Sequence, residues 1–157
     1  DPITGAKAWT EDEMISILPS ASHSEADFFE IKSTLTNYIN QINNNTNTVH
    51  EYTDKYMIST TKDEYENVTK KIDMVISNNS SLSSSIRKII NSERPKILKT
   101  ESSVTSLQVI EFNNTVTNFQ SALNEFQQAL NNFDSQVSEK QMRQIRFLRG
   151  SIDESEM

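Results

Sequence analysis

Residues 116–133 read VTNFQSALNEFQQALNNF and keep a regular apolar spacing in an otherwise polar chain. The large apolar side chains recur in alternating steps of three and four residues: Val116, Phe119, Leu123, Phe126, Leu130 and Phe133. An average step of about 3.5 residues is the heptad seam of packed helices. Because burying each ring stabilises a fold by roughly 1.5–3 kcal/mol, this helix requires partner helices with the same period.

Two upstream segments carry that period. The first has Leu35, Ile39, Ile42, Thr46, Val49, Thr53 and Tyr56 at these intervals. The second has Tyr65, Val68, Ile72, Val75, Asn79, Leu82, Ile86 and Ile89. We therefore expect one shared core, with Phe119, Phe126, Ile39, Ile42, Ile72, Val75 and Leu123 among its least exposed residues. The seam residue Asn79 is polar, so we expect its amide to form a hydrogen bond with a neighbouring helix or with a trapped water. Thr115 is a candidate partner. The alternative is that the second helix rotates and exposes Asn79.

Signals for helix ends divide the chain. Thr61 and Glu64 form a capping-box pattern, and Pro95 disfavours helical geometry at the residue before it. The predicted fold is an all-α, up-down-up antiparallel three-helix bundle, with the third helix the longest. Its predicted helices span residues 27–57, 62–93 and 101–148. Residues 1–26 form an N-terminal extension in which Thr10 and Glu13 favour a short helix near 11–17, and residues 149–157 begin an acidic linker.

Composition excludes several classes of protein. The chain has 157 residues, of which 34% are hydrophobic and 24% charged, which suits one helical domain with a narrow buried stripe. A net charge of −7 disfavours a general nucleic-acid role, and the absence of cysteine excludes disulfides and thiolate metal sites. No signal peptide or membrane-length apolar run is visible. We interpret the chain as a fragment of a longer protein, outside which a membrane anchor could lie.

The sequence offers no pattern for catalysis. It contains no Gly-rich phosphate loop and no Glu-x-x-His pair of the kind that di-iron bundles use. Its two histidines, His23 and His50, have no histidine or cysteine at ligand spacing. We therefore expect no catalytic, cofactor or metal site, and interpret His50 as a surface residue beside the first seam.

Four segments together resemble the N-terminal regulatory domain of the syntaxin family. The segment FFEIKSTLTNYINQI, residues 28–42, is similar to the start of that domain's first helix, and TKDEYENVTKKI, residues 61–72, to the start of its second. The segment FQSALNEFQQALNNF, residues 119–133, resembles the middle of its third helix, where an aromatic residue recurs every seven residues. The segment KQMRQI, residues 140–145, is like the basic and apolar end that precedes the family's linker.

The resemblance implies a role outside catalysis. Syntaxins are target-membrane SNARE proteins that act in vesicle fusion at the cytosolic face of the plasma membrane or an endomembrane. In members that close, the SNARE helix lies between the second and third helices, and Sec/Munc-type regulators bind that closed form. The implied partners are the chain's own SNARE helix, other SNARE proteins and such a regulator. The competing hypothesis is a purely structural bundle, such as a spectrin-like repeat or a stalk segment.

Two surfaces are candidates for partner binding. A column of small residues on the third helix, Thr115, Ala122 and Ala129, would let a fourth helix approach closely, or would pack against the first helix instead. The polar Gln120 and Gln127 would then form the rim of that groove.

The second surface is the end of the third helix. Matching the helices antiparallel pairs Tyr65 with about Leu130, so support from the bundle should end near Phe133. Apolar and basic residues nevertheless continue beyond it, among them Arg143, Arg146, Phe147 and Leu148. We expect the helix to persist to about Phe147, with Phe147 or Leu148 exposed, and to contact the linker or a regulator; the alternative is a frayed end.

Overall fold

The computed structural model describes residues 25–98 and 103–156, and these residues form three helices and no strands. Helix α1 spans Glu25–Ile58, α2 spans Lys62–Leu98 and α3 spans Ser103–Glu156. The predicted all-α, up-down-up antiparallel three-helix bundle is confirmed, and α3 is the longest helix, with 54 residues. The short helix predicted near residues 11–17 lies outside the described residues.

Contacts group the described chain into two compact units, and all three helices contribute to both. Unit 1 contains residues 25–36, 86–98 and 103–117, whereas unit 2 contains residues 37–85 and 118–156. In unit 1, Lys32 of α1 forms an ion pair with Glu111 of α3 at 3.6 Å, and Arg94 of α2 lies over the ring of Phe112.

Contacts within unit 2 give the directions of the helices. Asn45 donates a hydrogen bond to Asn78 at 3.0 Å, and Tyr56 packs against Tyr65, so residue numbers rise along α1 as they fall along α2. These two helices are therefore antiparallel. Helix α3 runs parallel to α1, because Phe133 meets the ring of Tyr56 and the next heptad of α3 reaches the carbonyl groups at the end of α1.

The predicted capping box forms at the start of α2. The hydroxyl of Thr61 accepts a hydrogen bond from the amide of Glu64 at 3.2 Å. The Glu64 carboxylate in turn accepts the amide of Thr60 at 2.9 Å. In the usual capping box the carboxylate bonds the capping residue itself, whereas here it bonds the residue before it. Both interactions satisfy amides near the helix start, which explains the tight connection between α1 and α2.

The core is built from one seam on each helix. All seven predicted seam residues of α1 are buried, and so are Val68, Ile72, Val75, Leu82 and Ile86 of α2. On α3 the buried residues, among those whose side chains are described, are Gln108, Phe112, Thr115, Phe119, Ala122, Phe126, Ala129 and Phe133. Leu123, which we expected among the least exposed residues, is only half-buried. Helix α3 is rotated so that large rings alternate with small residues inside, an arrangement that fills a core without overpacking.

Two predicted helix ends are wrong. Helix α2 continues through Pro95 to Leu98, beyond the predicted end at residue 93. A proline removes one backbone hydrogen bond, to the carbonyl of Asn91 in this helix. Pro95 and Asn91 are exposed, so water can satisfy that carbonyl, and Ile97 is 1% exposed, so its burial favours another helical turn.

The longer α2 changes the pairing of α2 with α3. The connection now runs from Leu98 to Ser103 instead of from residue 93 to 101. Tyr65 therefore meets Lys140 and Gln144, and the predicted pairing of Tyr65 with about Leu130 is wrong. Support from neighbouring helices therefore reaches Lys140, one heptad beyond the Phe133 that the sequence suggested.

Helix α3 also passes its predicted end at residue 148 and includes residues 149–156, which we expected to begin a linker. This segment contains no proline, and Gly150 is its only residue with a strong cost to helix formation.

Asn79 is buried, with 6% of its surface exposed, so the alternative in which α2 rotates it into solvent is excluded. Among the described residues, its Oδ1 has no hydrogen-bond partner. The Thr115 hydroxyl, the candidate partner, donates to the Glu111 carbonyl of its own helix at 2.9 Å. A buried threonine satisfies itself in this way without a neighbouring helix. Thr46 and Thr53 do the same within α1.

Candidate functional site

Lys140 is the centre of a polar cluster in unit 2. Its ammonium donates to the carbonyl oxygens of Tyr56 at 2.7 Å, Met57 at 2.8 Å and Ser59 at 2.7 Å. These carbonyls belong to the last turn of α1 and the residue just after it, where intrahelical donors run out. A cation at a helix C-terminus also interacts favourably with the helix dipole. Lys140 therefore caps α1 from α3, in a connection that contains no capping glycine.

Aromatic rings frame this cap. Tyr56 packs against Tyr65 with ring centroids 4.8 Å apart, and against Phe133 edge-on at 5.6 Å. The Lys140 ammonium lies 4.8 Å from the Tyr65 ring centroid, within the range of a cation–π interaction. The Tyr65 hydroxyl donates to the Ser59 carbonyl at 2.7 Å and accepts a hydrogen bond from Gln144 at 3.2 Å. All three helices thus meet at this cluster.

The position of Lys140 follows from the heptad spacing of α3. Phenylalanine occurs every seventh residue, at 112, 119, 126 and 133, and all four rings are buried. The next position in this column is Lys140, and the one after it is Phe147. Because α1 ends at Ile58, a ring at position 140 would meet open carbonyls instead of apolar side chains, and the lysine satisfies them.

A cavity of about 520 Å³ lies next to the cluster. Met57 at the end of α1 forms one wall, and the remaining lining comes from α3, namely Lys140, Arg143, Gln144, Phe147 and Leu148. Three of the six lining residues are apolar, two are cationic and none is acidic. The site has the volume of a side-chain pocket, and its charged lining residues are both cationic.

Beyond Lys140, α3 runs as an overhang, which we define as residues 141–152. Every one of these residues is exposed. Phe147 is 74% exposed and Leu148 is 59% exposed, and the helix is continuous there. The prediction that α3 persists past Phe133 to about Phe147, with an exposed apolar end, is confirmed. Arg143 and Arg146 lie on the same segment, so the four residues predicted for the helix-end surface are all accessible.

The predicted groove residues do not form one surface. Thr115 in unit 1 and Ala122 and Ala129 in unit 2 are 6%, 2% and 1% exposed. These small side chains belong to the core and offer no surface to a fourth helix. Gln120 and Gln127 of unit 2 are exposed, and Gln127 bonds Asn131 of its own helix at 3.0 Å.

A half-buried apolar column on α3 was missed as a surface. Leu123, Leu130 and Val137 are spaced seven residues apart and are all partly exposed. The next residue in this column, Gln144, contacts Tyr65, so the column lies on the side of α3 that faces α2. The heptad period predicted Leu123 and Leu130 as seam residues, but the sequence could not show that they lie at the edge of the core.

Helix α2 adds an apolar residue to this side in unit 2. Asn78 and Lys71 point toward α1, where they contact Asn45 and Tyr52. Ile76 lies on the opposite edge of the α2 seam and is 36% exposed. The edge of unit 2 between α2 and α3 therefore carries Ile76, Leu123 and Leu130, next to the exposed Gln127.

The described residues contain no cluster of three or more His, Cys, Asp or Glu side chains that could hold a metal ion. His50 is exposed on α1, whereas His23 lies outside the described residues. None of the three helices, over the described residues, has an apolar segment long enough to cross a bilayer.

No protein-family model, no curated protein and no solved structure matches this chain. Its class is therefore defined by its fold, which is an all-α three-helix bundle with a heptad core. Its particular features are the lysine cap on α1, the α3 overhang and the apolar edge between α2 and α3.

Proposed function

We propose that this chain is the regulatory N-terminal domain of a syntaxin-like SNARE protein in vesicle docking and membrane fusion. In this role it binds a SNARE helix, a Sec/Munc-type regulator or both, and so controls assembly of SNARE complexes at the cytosolic face of a membrane. The observation that carries the proposal is the half-exposed apolar edge of unit 2 formed by Ile76, Leu123 and Leu130.

The physical basis is the packing of a fourth helix. An amphipathic helix binds a groove by placing apolar residues of one face between two helices. Leu123 and Leu130 are one heptad apart, which matches the repeat of a coiled-coil partner. The exposed amides of Gln120 and Gln127 flank these leucines and can bond polar residues at the rim of the partner helix.

The order and lengths of the helices add support. Three antiparallel helices with a short connection between α1 and α2, a phenylalanine every seventh residue on α3 and a long final helix agree with the expectation drawn from the syntaxin resemblance. The partners proposed on this basis are the protein's own SNARE helix, other SNARE proteins and a Sec/Munc-type regulator.

Calorimetry with the SNARE segment encoded downstream in the same gene tests the proposal. We expect binding by the chain, and a loss of at least about tenfold in affinity for the double variant Leu123→Glu with Leu130→Glu. The matched control is Ile110→Glu, which alters an apolar α3 residue that is 57% exposed in unit 1. Absence of binding at high concentration, or equal weakening by the control, would contradict a closed state built on this edge.

The continuity of α3 favours a second candidate, a structural repeat or stalk. A single helix from Ser103 to Glu156 is suited to transmit force or spacing along a rod. The gene separates the two candidates. A heptad segment with a central glutamine followed by an apolar tail supports the SNARE role, whereas tandem copies of this bundle support the structural role.

A further inference from the structure

The overhang continues the core column of α3 without a bundle around it. Phe147 occupies the same heptad position as the buried Phe126 and Phe133, yet it is 74% exposed. Met142, Ile145 and Leu148 on the same segment are each at least half exposed. Monomeric proteins rarely concentrate large apolar side chains on one exposed segment unless it binds something.

The cavity beside Phe147 sets the shape of what can bind. It lies between Met57 on α1 and the Phe147 and Leu148 side chains on α3, so its apolar walls come from two helices. A concave site of this kind accepts a projecting apolar side chain. Apolar walls on two different helices favour a partner that projects a side chain between them over a planar bilayer surface.

The charges around the cavity set the polarity of the partner. Lys140 already donates to three carbonyls. Arg143 lies four residues before Phe147, and its only ion pair among the described residues is with Glu139 at 3.5 Å, where both side chains are more than half exposed. Exposed pairs of this kind are weak and exchange readily. Arg146 and Arg149 have no ion pair within the described part of the chain.

We propose that the overhang and its cavity bind an acidic amphipathic helix of a partner protein. An apolar residue of that helix occupies the cavity between Met57 and Phe147, and its carboxylates pair with Arg143 and Arg146. The chain as a whole carries a net charge of −7, so this basic segment gives orientation to an acidic partner that the rest of the surface repels. The inference goes beyond the proposed function, because it uses neither Leu123 nor Leu130 and requires no SNARE role.

The test is a titration of the full 157-residue chain with two labelled synthetic helical peptides, followed by fluorescence anisotropy. Both peptides carry leucine at heptad positions a and d; one has glutamate at e and g, and the other lysine. We expect the glutamate peptide to bind at least about tenfold more tightly, with an affinity that falls as salt is raised.

Variants locate the site. Phe147→Ser and the double variant Arg143→Glu with Arg146→Glu should each weaken the glutamate peptide by about tenfold or more. The double variant should also gain affinity for the lysine peptide, which a merely structural effect would not produce. The matched controls are Met74→Ser, at an α2 residue that is 58% exposed, and Lys70→Glu, and both should bind as the parent chain does.

Four outcomes would overturn the proposal. The first is equal binding of the two peptides or no binding of either, and the second is equal weakening by the control variants. The third is that the chain binds phosphatidylcholine vesicles containing phosphatidylserine but neither peptide, and that Phe147→Ser abolishes the vesicle binding. This result would make the overhang a membrane contact. The fourth is a concentration-dependent dimer that Phe147→Ser abolishes, which would identify a second copy as the partner.

Discussion

The ammonium of Lys140 lies 2.7 Å from the carbonyl oxygen of Tyr56, so a residue of α3 caps the last turn of α1. This contact joins residues 84 positions apart in sequence. Lys140 occupies the heptad position that phenylalanine holds in the four preceding repeats of α3. The cap ends the apolar core of α3, and every residue of the overhang that follows it is exposed.

Replacing Lys140 by methionine should destabilise the bundle by about 1.5–3 kcal/mol, because three carbonyls lose a charged donor. Chemical denaturation measures this loss. Lys62→Met is the control, since the Lys62 side chain is 87% exposed and the substitution should change stability by no more than about 0.5 kcal/mol. Equal stability of the two variants would show that the cap contributes nothing.

Phe126→Ala should destabilise the bundle by about 3–5 kcal/mol, because it removes a ring that is 4% exposed and leaves a cavity. Phe147→Ala removes the same ring from the same heptad column at a position that is 74% exposed. That change should stay within about 0.5 kcal/mol in thermal or denaturant unfolding. A large effect at Phe147 would mean that the overhang packs on the bundle.

Ala129→Leu should destabilise the bundle by about 1–3 kcal/mol, because Ala129 is 1% exposed and the added atoms overpack the core. Gln127→Leu, two residues earlier on the exposed surface, should change stability by less than about 0.5 kcal/mol. Denaturant unfolding of the two variants distinguishes a core position from a partner groove. If Ala129→Leu leaves the free energy of unfolding unchanged, the column of Ala122 and Ala129 would again be a candidate partner surface.

Asn79→Leu should stabilise the bundle by about 1–3 kcal/mol, because it removes a buried amide oxygen that has no partner among the described residues. Asn78→Leu is the control, since Asn78 accepts a hydrogen bond from Asn45 and its replacement should bring no gain. The measurement is the free energy of unfolding of each variant. Destabilisation by Asn79→Leu would indicate a trapped water that the amide holds.

Gly150→Ala should strengthen the α3 overhang by about 0.5–1 kcal/mol, because glycine is unfavourable inside a helix and nothing lies within 4 Å of the added Cβ. Hydrogen exchange of the amides of residues 146–152 measures this change. The amides near Phe133 serve as the internal control and should keep their exchange rates. Unchanged exchange at 146–152 would show that this segment is not helical in solution.

The sequence predicted the core better than the surface. The α1 seam was predicted in full because its residues follow one heptad register without a break from Leu35 to Tyr56. Helix α3 offered two columns, and the one with Leu123 and Leu130 looked more apolar than the one with Ala122 and Ala129. The structure buries the column with Ala122 and Ala129 instead, because small residues fit between the phenylalanine rings, and it leaves the leucines half-buried.

The sequence alone determined the class of fold, the three helices of the described residues and the capping box at Thr61, because periodicity and caps are local properties of the chain. Only the tertiary structure decided the passage of α2 through Pro95, the pairing of Tyr65 with Gln144 and the cap that Lys140 places on α1. These depend on how the helices are rotated and shifted against one another. That choice is made by the burial of residues distant in sequence, which no local pattern contains.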